Sequence, residues 1–356
     1  MNKDSIVIVG RSLLSGGAER VIVQLANYFS YKGKKVYIIT INDSKQFYSL
    51  DDSISLYKIG KKAENKILDK ILRYYEVRKI IKCINPYAVL SLPEEIGIYV
   101  IFSMIGTGIP VFVSERNNPW VMPDVKITRL LRKAMYPLAK GIIFQTEMAK
   151  SFFPKYIQRK GIVIDNPVDV SRIPLLYEGS RNYTITAVGR LAPQKNFKLL
   201  INAFYMFSKM HDDYCLEIYG DGQLKNELEQ QIKELGIAHK VSLCGARKDV
   251  LDRIRCSSMF VLTSDYEGVP NVLLEAMCMG MPVISTDCPS GGPRKLIEDG
   301  INGLLTPVGD CDELVKRMDS LCDVAYASSL SKEAYKVREK FTNPDIFVQW
   351  ERYIFN

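Results

Sequence analysis

Two doubly wound α/β units in one chain are the architecture this sequence predicts, and three observations predict it. Short β-branched runs alternate with helix-length amphipathic segments through the first half: "SIVIVG", "KVYIITI", "AVLSL", "VFVSE", "IIFQT" and "IVIDNP". That alternation is the pattern of a parallel sheet with crossover helices. The series restarts after a polar, proline-containing stretch over 165–182, as "YTITAVG", "CLEIYG", "VSLCG", "MFVLTS" and "PVISTD". At 356 residues the chain also exceeds the size at which one hydrophobic core stops growing. The units are expected at 1–167 and 168–341, with the aromatic-rich stretch over about 342–356, "TNPDIFVQWERYIF", packing back on the first. Sheets of this class bind ligands beyond the carboxyl ends of their strands, and two facing units make a natural cleft.

Composition narrows the function classes. An apolar share of 47% with a mean hydropathy of −0.04 describes a globular protein, and no run of about eighteen apolar residues is present to cross a bilayer. "MNKDSIVIVG" passes directly into a strand-like run without the features of a secretory signal, so a cytoplasmic location is expected. Eight scattered cysteines (Cys83, Cys215, Cys244, Cys256, Cys278, Cys288, Cys311, Cys322) form no C-x-x-C pair and read as reduced core residues. With His211 and His239 outside any ligand-spaced cluster, no metal site is expected. A net charge of +8 suits an anionic partner: a nucleotide phosphate, a lipid headgroup or nucleic acid. Nucleic acid is disfavoured, because the basic segments lack the interleaved aromatics of a recognisable module. The basic amphipathic stretches at about 61–84 and 126–140 read either as solvated helix faces or as surface helices meeting anionic lipid.

Three motifs carry chemistry. "SDYEGVPNVLLEAM" turns through Gly268 and Pro270 into a helix starting near Asn271, whose first-turn N–H groups and dipole favour an anion. Glu267 precedes that helix, placed for sugar hydroxyls, and Glu275 lies within it, placed for a vicinal diol such as ribose. In "AVGRLAPQKNF" two cations, Arg190 and Lys195, follow a strand, where charge-assisted contacts to a diphosphate are worth roughly 1.5 to 3 kcal/mol each. They would stabilise a departing nucleoside diphosphate without a divalent metal, and no D-x-D motif sits at a strand end to hold one. The "GRSLLSGGAER" connection offers Gly16 and Gly17 for close approach to phosphate and Ser15 as a possible helix cap. Neither it nor "YGDGQLKNEL" completes G-x-G-x-x-G, which weakens a dinucleotide reading.

These residues resemble the retaining glycosyltransferases of sequence family four, with the GT-B architecture of two facing Rossmann-like domains. The likeness runs through "SGGAER", "NPVD", "GRLAPQKNF", "GDGQLKNELE", "VSLCGARKDV", "SDYEGVPNVLLEAMCMGMPVISTD" and "SGGPRKLIEDGINGLL". It is nearest in flavour to bacterial enzymes that extend polyprenyl-diphosphate-linked glycans. The resemblance implies that Arg190 and Lys195 hold the donor diphosphate, Glu275 the ribose and Glu267 the transferred sugar. It implies further that the main chain at Gly268, Val269, Pro270, Asn271 and Val272 binds sugar and phosphate, that Ala246 and Arg247 read a base, uracil by preference, and that Gly16 and Gly17 face the phosphates.

The chain departs from the family's pattern twice. Many relatives carry histidine at the strand end where "VFVSERNNPW" sets Glu115, Arg116 and Asn117, leaving these as acceptor-site candidates or members of an internal salt bridge. Lys295 in "GGPRKLI" stands where relatives usually have glutamate. Glu94 and Glu95 in "SLPEEIG" read as a solvated loop or as acceptor contacts. The expected activity is transfer of a hexose or N-acetylhexosamine from a UDP-sugar, with retention and without a cofactor or metal, onto a lipid-linked saccharide at the cytoplasmic face of the inner membrane. A nucleotide-sugar epimerase and a non-catalytic nucleotide-sugar-binding subunit are the alternatives.

Overall fold

The computed structural model describes residues 2–14, 16–342 and 345–356, so the proposed cap Ser15 lies outside the described residues. The chain divides into two compact units, one formed by 1–168 with 344–356 and the other by 169–343. Each is built on a wholly parallel sheet.

In the first unit the strands are β1 (Asn2–Gly10), β2 (Lys35–Thr40), β3 (Ser55–Lys58), β4 (Pro86–Ser91), β5 (Val111–Ser114), β6 (Gly141–Phe144) and β7 (Gly161–Val163), in the spatial order β3-β2-β1-β4-β5-β6-β7. The second unit has β8 (Asn182–Val188), β9 (Cys215–Tyr219), β10 (Val241–Leu243), β11 (Ser257–Leu262), β12 (Val283–Thr286) and β13 (Leu304–Thr306), ordered β10-β9-β8-β11-β12-β13. Both are Rossmann-like: the chain starts mid-sheet, winds to one edge and then returns to build the other half. Burial on both faces explains the unbroken apolar runs, since Val111–Ser114, Gly141–Phe144 and Val283–Thr286 are buried at every position.

The reversal of strand order falls between β1 and β4 in one sheet and between β8 and β11 in the other. Loops leaving the carboxyl ends of such a pair diverge to opposite faces and leave a crevice between them. In the second unit those loops hold Arg190 to Lys195 after β8 and Thr263 to Pro270 after β11. In the first they hold Arg11 and Gly16 after β1 and Glu94 after β4, with Glu115 and Arg116 on the neighbouring strand end.

Four helices of the first unit bear on function: α1 (Gly17–Tyr31), α2 (Lys66–Ile84), α3 (Glu94–Met104) and α4 (Lys126–Met135). At 100° per residue, α2 carries two apolar stripes rather than one. Tyr74, Val77 and Ile81 pack inward, whereas Ile67, Leu68, Ile71, Leu72 and Tyr75 form a second, exposed stripe about 120° around the helix. In α4 the inward face holds the buried Thr128 and Arg132, and Ile127 and Leu130 point to solvent beside Lys126 and Lys133. A simple apolar-in, basic-out reading of these two helices is therefore incomplete. Among the described residues, no helix is long and apolar enough to cross a membrane.

The helix Asp345–Phe355 belongs to the first unit. Trp350 is fully buried there and donates from Nε1 to the Asp165 carbonyl at 3.2 Å. Phe347 stacks on Tyr28 at 4.8 Å, and the Tyr87 hydroxyl donates to the Phe355 carbonyl at 3.0 Å.

Candidate functional site

At the crevice of the second sheet, two of the polar groups named from the sequence, Lys195 and Glu267, are joined. Lys195 closes a single 3-10 turn (Pro193–Lys195) after β8, and its Nζ forms an ion pair with Glu267 Oε1. Ser264 Oγ donates to the same oxygen at 2.6 Å, and Gln194 Nε2 reaches Oε2 at 3.4 Å while donating to the Tyr266 carbonyl at 2.8 Å. Three donors thus converge on one carboxylate that is 7% exposed. The loops are tied independently of that ion pair: Asn196 Nδ2 donates to Asp265 Oδ1 at 2.7 Å, Asp265 N–H to the Gln194 carbonyl at 2.9 Å, and Thr263 Oγ1 to the Lys195 carbonyl at 3.0 Å. A lysine ammonium has three protons, so one partner leaves two for a ligand. Arg190 stands exposed on the same loop.

Backbone proximity explains two glycines. A Cβ on Gly292 would sit 1.6 Å from the Gly268 carbonyl oxygen, so the Ser290-Gly291-Gly292 turn runs directly against the Glu267-Gly268 turn. Ser290 Oγ completes that brace by donating to the Glu267 carbonyl. Gly220, at φ +145°, would place a Cβ 1.9 Å from the Gly189 carbonyl oxygen, so the "GDG" turn supports the loop that carries Arg190 and Lys195. Its glycines serve close loop packing.

The helix Asn271–Cys278 starts at Pro270, which supplies no side-chain cap to the first-turn N–H groups. Gly268, Val269 and Pro270 form the turn before it, Asn271 and Val272 its first residues, and Glu275 is buried in its second turn. Beside β10, the Ala246 N–H donates to Asp221 Oδ2 at 2.9 Å and Arg247 Nε to the Cys244 carbonyl at 3.1 Å. A base bound at this edge has to displace the Asp221 carboxylate from Ala246 or use the neighbouring backbone groups. Lys295 lies on the short helix Gly292–Leu296, where its N–H donates to the Gly291 carbonyl and the adjacent Arg294 pairs with Asp287.

The first unit assembles a second charged group at its own crevice. Gly16 caps α1 in an extended conformation, and a Cβ there would meet the carboxylate of Glu19, which accepts from Ser12 Oγ at 3.2 Å; Gly17 is the first helical residue. Arg11 pairs with Glu95. The solvated-loop reading fails for Glu94: it opens α3, is 1% exposed and accepts the Arg116 N–H at 3.2 Å. Burial raises its pKa above the usual carboxylate range.

Glu115 and Arg116 are not paired with each other. Glu115 turns inward and accepts from Arg132 Nη1 at 3.2 Å and from the Tyr136 hydroxyl at 2.8 Å. Burial pushes its carboxyl up to about 8 against the pull of Arg132. Arg116 Nε and Nη1 are buried and make no hydrogen bond among the described residues; burial lowers its pKa to about 10, opposed by the charge of Glu94. Asn117 Oδ1 accepts the Asn118 N–H at 3.2 Å.

Gln194, Ser264, Ser290, Arg11, Arg132 and Tyr136 were not singled out from the sequence. The first four lie inside the motifs named from the sequence, and a polar residue within such a motif was the available signal.

Residues 177–337, which fall within the second unit, match the family described as Glycosyl transferases group 1. The chain is 28% identical over 99% of its length to a Campylobacter jejuni protein named GalNAc-alpha-(1->4)-GalNAc-alpha-(1->3)-diNAcBac-PP-undecaprenol alpha-1,4-N-acetyl-D-galactosaminyltransferase, covering 98% of that protein. It is also 28% identical, over 92% of its length and 93% of the relative, to the N-acetylgalactosamine-N,N'-diacetylbacillosaminyl-diphospho-undecaprenol 4-alpha-N-acetylgalactosaminyltransferase of the same organism. Among solved structures, Anabaena HepE in complex with UDP and glucose superposes with a TM-score of 0.83 over 98% of both chains at 19% identity, a likeness of fold. Loop chemistry, sheet topology and these likenesses agree: residues 177–337 match the group 1 family, and the chain is a glycosyltransferase with the GT-B fold.

Proposed function

We propose that this glycosyltransferase moves a hexose or N-acetylhexosamine from a UDP-sugar, with retention of configuration, to a hydroxyl of a polyprenyl-diphosphate-linked saccharide. The observation that carries the reading is the Lys195 ammonium at the second sheet's strand-order reversal, held by Glu267 with two protons left over, and Arg190 exposed on the same loop. Two fixed cations suit a diphosphate that gains charge as it departs, and such preorganised electrostatics is commonly the largest catalytic term. No divalent ion is needed for that neutralisation. The UDP in the HepE complex supports the donor class, and the two Campylobacter names support the acceptor class and an alpha product.

In the proposed step the bond between the sugar's anomeric carbon and the β-phosphate oxygen breaks, and a bond to the acceptor oxygen forms on the same face. The acceptor's proton passes to the departing phosphate, so UDP leaves and no histidine base is required. Glu275 holds the ribose, the Gly268 to Val272 backbone the sugar and phosphate, and Ala246 and Arg247 the base. Gly16 and Gly17 offer backbone to phosphate. On the first unit, Arg116, Glu94, Glu95 and Asn117 receive the acceptor, while Glu115 positions this edge through Arg132 and Tyr136.

The acceptor's lipid calls for a membrane surface. The exposed stripe of α2 and the Ile127 and Leu130 face of α4, both flanked by lysines, suit the cytoplasmic leaflet of the inner membrane, where each basic residue adds about 1 kcal/mol.

Incubating the purified protein with a panel of UDP-sugars and lipid-linked acceptors, with and without added magnesium, tests the reading by the mass of the product. A single sugar added only when acceptor is present, unaffected by magnesium, supports it. Interconversion of UDP-sugars without acceptor would sink it, as would UDP binding with no turnover.

A further inference from the structure

At the opposite, amino-terminal end of the second sheet's strands, where β9 begins, three side chains from two separated segments meet. His211 follows the helix Phe197–Phe207, and Asp319 and Cys322 lie at the end of the helix Cys311–Ser320. His211 Nε2 is 2.8 Å from Asp319 Oδ1 and 3.8 Å from Cys322 Sγ, and all three atoms lie within 4.8 Å of one another. Sequence spacing gave no hint of this, because the histidine and the acid are 108 residues apart.

We propose that His211, Asp319 and Cys322 form a zinc-binding site that clips the ends of these two helices together, distinct from the sugar-transfer chemistry. Geometry supports it first. With zinc ligands at about 2.0 to 2.3 Å, tetrahedral coordination sets nitrogen–oxygen separations near 3.4 Å and nitrogen–sulfur separations near 3.6 Å. The observed distances require the imidazole and carboxylate to part by about half an ångström and the sulfur to close by about 0.2 Å on the nitrogen and by up to about 1.2 Å on the carboxylate oxygen.

The donor set supports it second. One imidazole nitrogen, one thiolate and one carboxylate with an open fourth position suit zinc; magnesium and calcium disfavour nitrogen and sulfur, and an iron–sulfur cluster needs more thiolates.

Preorganisation supports it third. The imidazole stacks on Phe207 at 4.6 Å and meets the edge of Tyr214 at 5.9 Å, which fixes the ring with Nε2 toward the other two ligands.

The test is calorimetric titration of the full-length, metal-free, reduced protein with zinc alone, paired with cobalt(II) as a spectroscopic probe. Expected are one ion per chain with a sub-micromolar dissociation constant, a melting temperature raised by zinc, and a thiolate-to-cobalt charge-transfer band. Cys322→Ser should abolish the band and the thermal shift, and Asp319→Asn should weaken binding more than about tenfold, the least that loss of even an outer-shell partner produces. His211→Ala also removes the Phe207 stack, so Cys322→Ser and Asp319→Asn are the deciding variants. Zinc binding equal in wild type and in Cys322→Ser, or cobalt binding without the charge-transfer band, would overturn the assignment.

Discussion

Replacing Lys195 with alanine separates two roles that the structure assigns to one ammonium. Toward a diphosphate, one charge-assisted hydrogen bond is worth about 1.5 to 3 kcal/mol, so kcat/KM should fall roughly 10- to 150-fold. Toward the protein, the same change strips Glu267 of its counter-ion and leaves Ser264 Oγ at 2.6 Å and Gln194 Nε2 at 3.4 Å as its donors. A carboxylate this enclosed loses about 1 to 3 kcal/mol when a charged donor is removed, or about 3 to 10 °C in melting temperature for a unit of this size. Adding Glu267→Gln removes the stranded charge. The Lys195→Ala/Glu267→Gln double variant should therefore regain most of the melting temperature while its kcat/KM stays below that of Glu267→Gln alone by the same tenfold or more. The assay is a double-mutant cycle run in parallel on thermal unfolding and on transfer to a lipid-linked acceptor. If Lys195→Ala costs nothing in the Glu267→Gln background, the lysine acts only through its glutamate, and direct neutralisation of the diphosphate is wrong.

Three further outcomes follow from other parts of the molecule. Gly292→Ala drives a methyl into the Gly268 carbonyl; it should displace the Glu267 turn, lower the melting temperature and depress transfer by more than tenfold, whereas Gly300→Ala, at an open loop position, should spare transfer. Glu115, raised to about 8 from an ordinary 4.5, favours its protonated form in the folded protein, so its stabilising contribution is complete below 4.5 and is lost as pH rises through 8. Urea midpoints across that window should fall more steeply for wild type than for Glu115→Gln, by at most about 1.4 kcal/mol per pH unit, and parallel slopes would refute the buried-acid reading. Ile71→Glu combined with Leu130→Glu should cut sedimentation with anionic vesicles by at least about tenfold at unchanged melting temperature, and undiminished binding would remove these helices from the membrane contact.

The fold class was legible because parallel strands buried on both faces leave unbroken β-branched runs, as "VFVS" and "VIST" do. Lys195 and Glu267 could each be named from their motifs, but their mutual contact could not. It exists because β8 and β11, far apart in sequence, are neighbours in the sheet. The donors that complete it, Ser264 and Gln194, are short polar residues in turns, indistinguishable in one sequence from solvated loop positions. Glu94 was hidden for a related reason: an acidic pair after proline looks exposed until Arg116 supplies an N–H to bury one member. Helix α4 misleads in the other direction, since Arg132 goes inward to meet Glu115 and Leu130 goes out, an exchange that periodicity alone does not foresee.

The path of the chain has a consequence for biosynthesis. The second unit is an insertion between Asp165 and Trp350, two groups joined by a hydrogen bond in the first unit. During synthesis, all residues of the inserted unit are made while the earlier-made one still lacks the aromatic helix that closes its flank. Until residues 345–356 emerge, the packing places of Trp350 and Phe355 stand open to water, so the half made first is the half finished last.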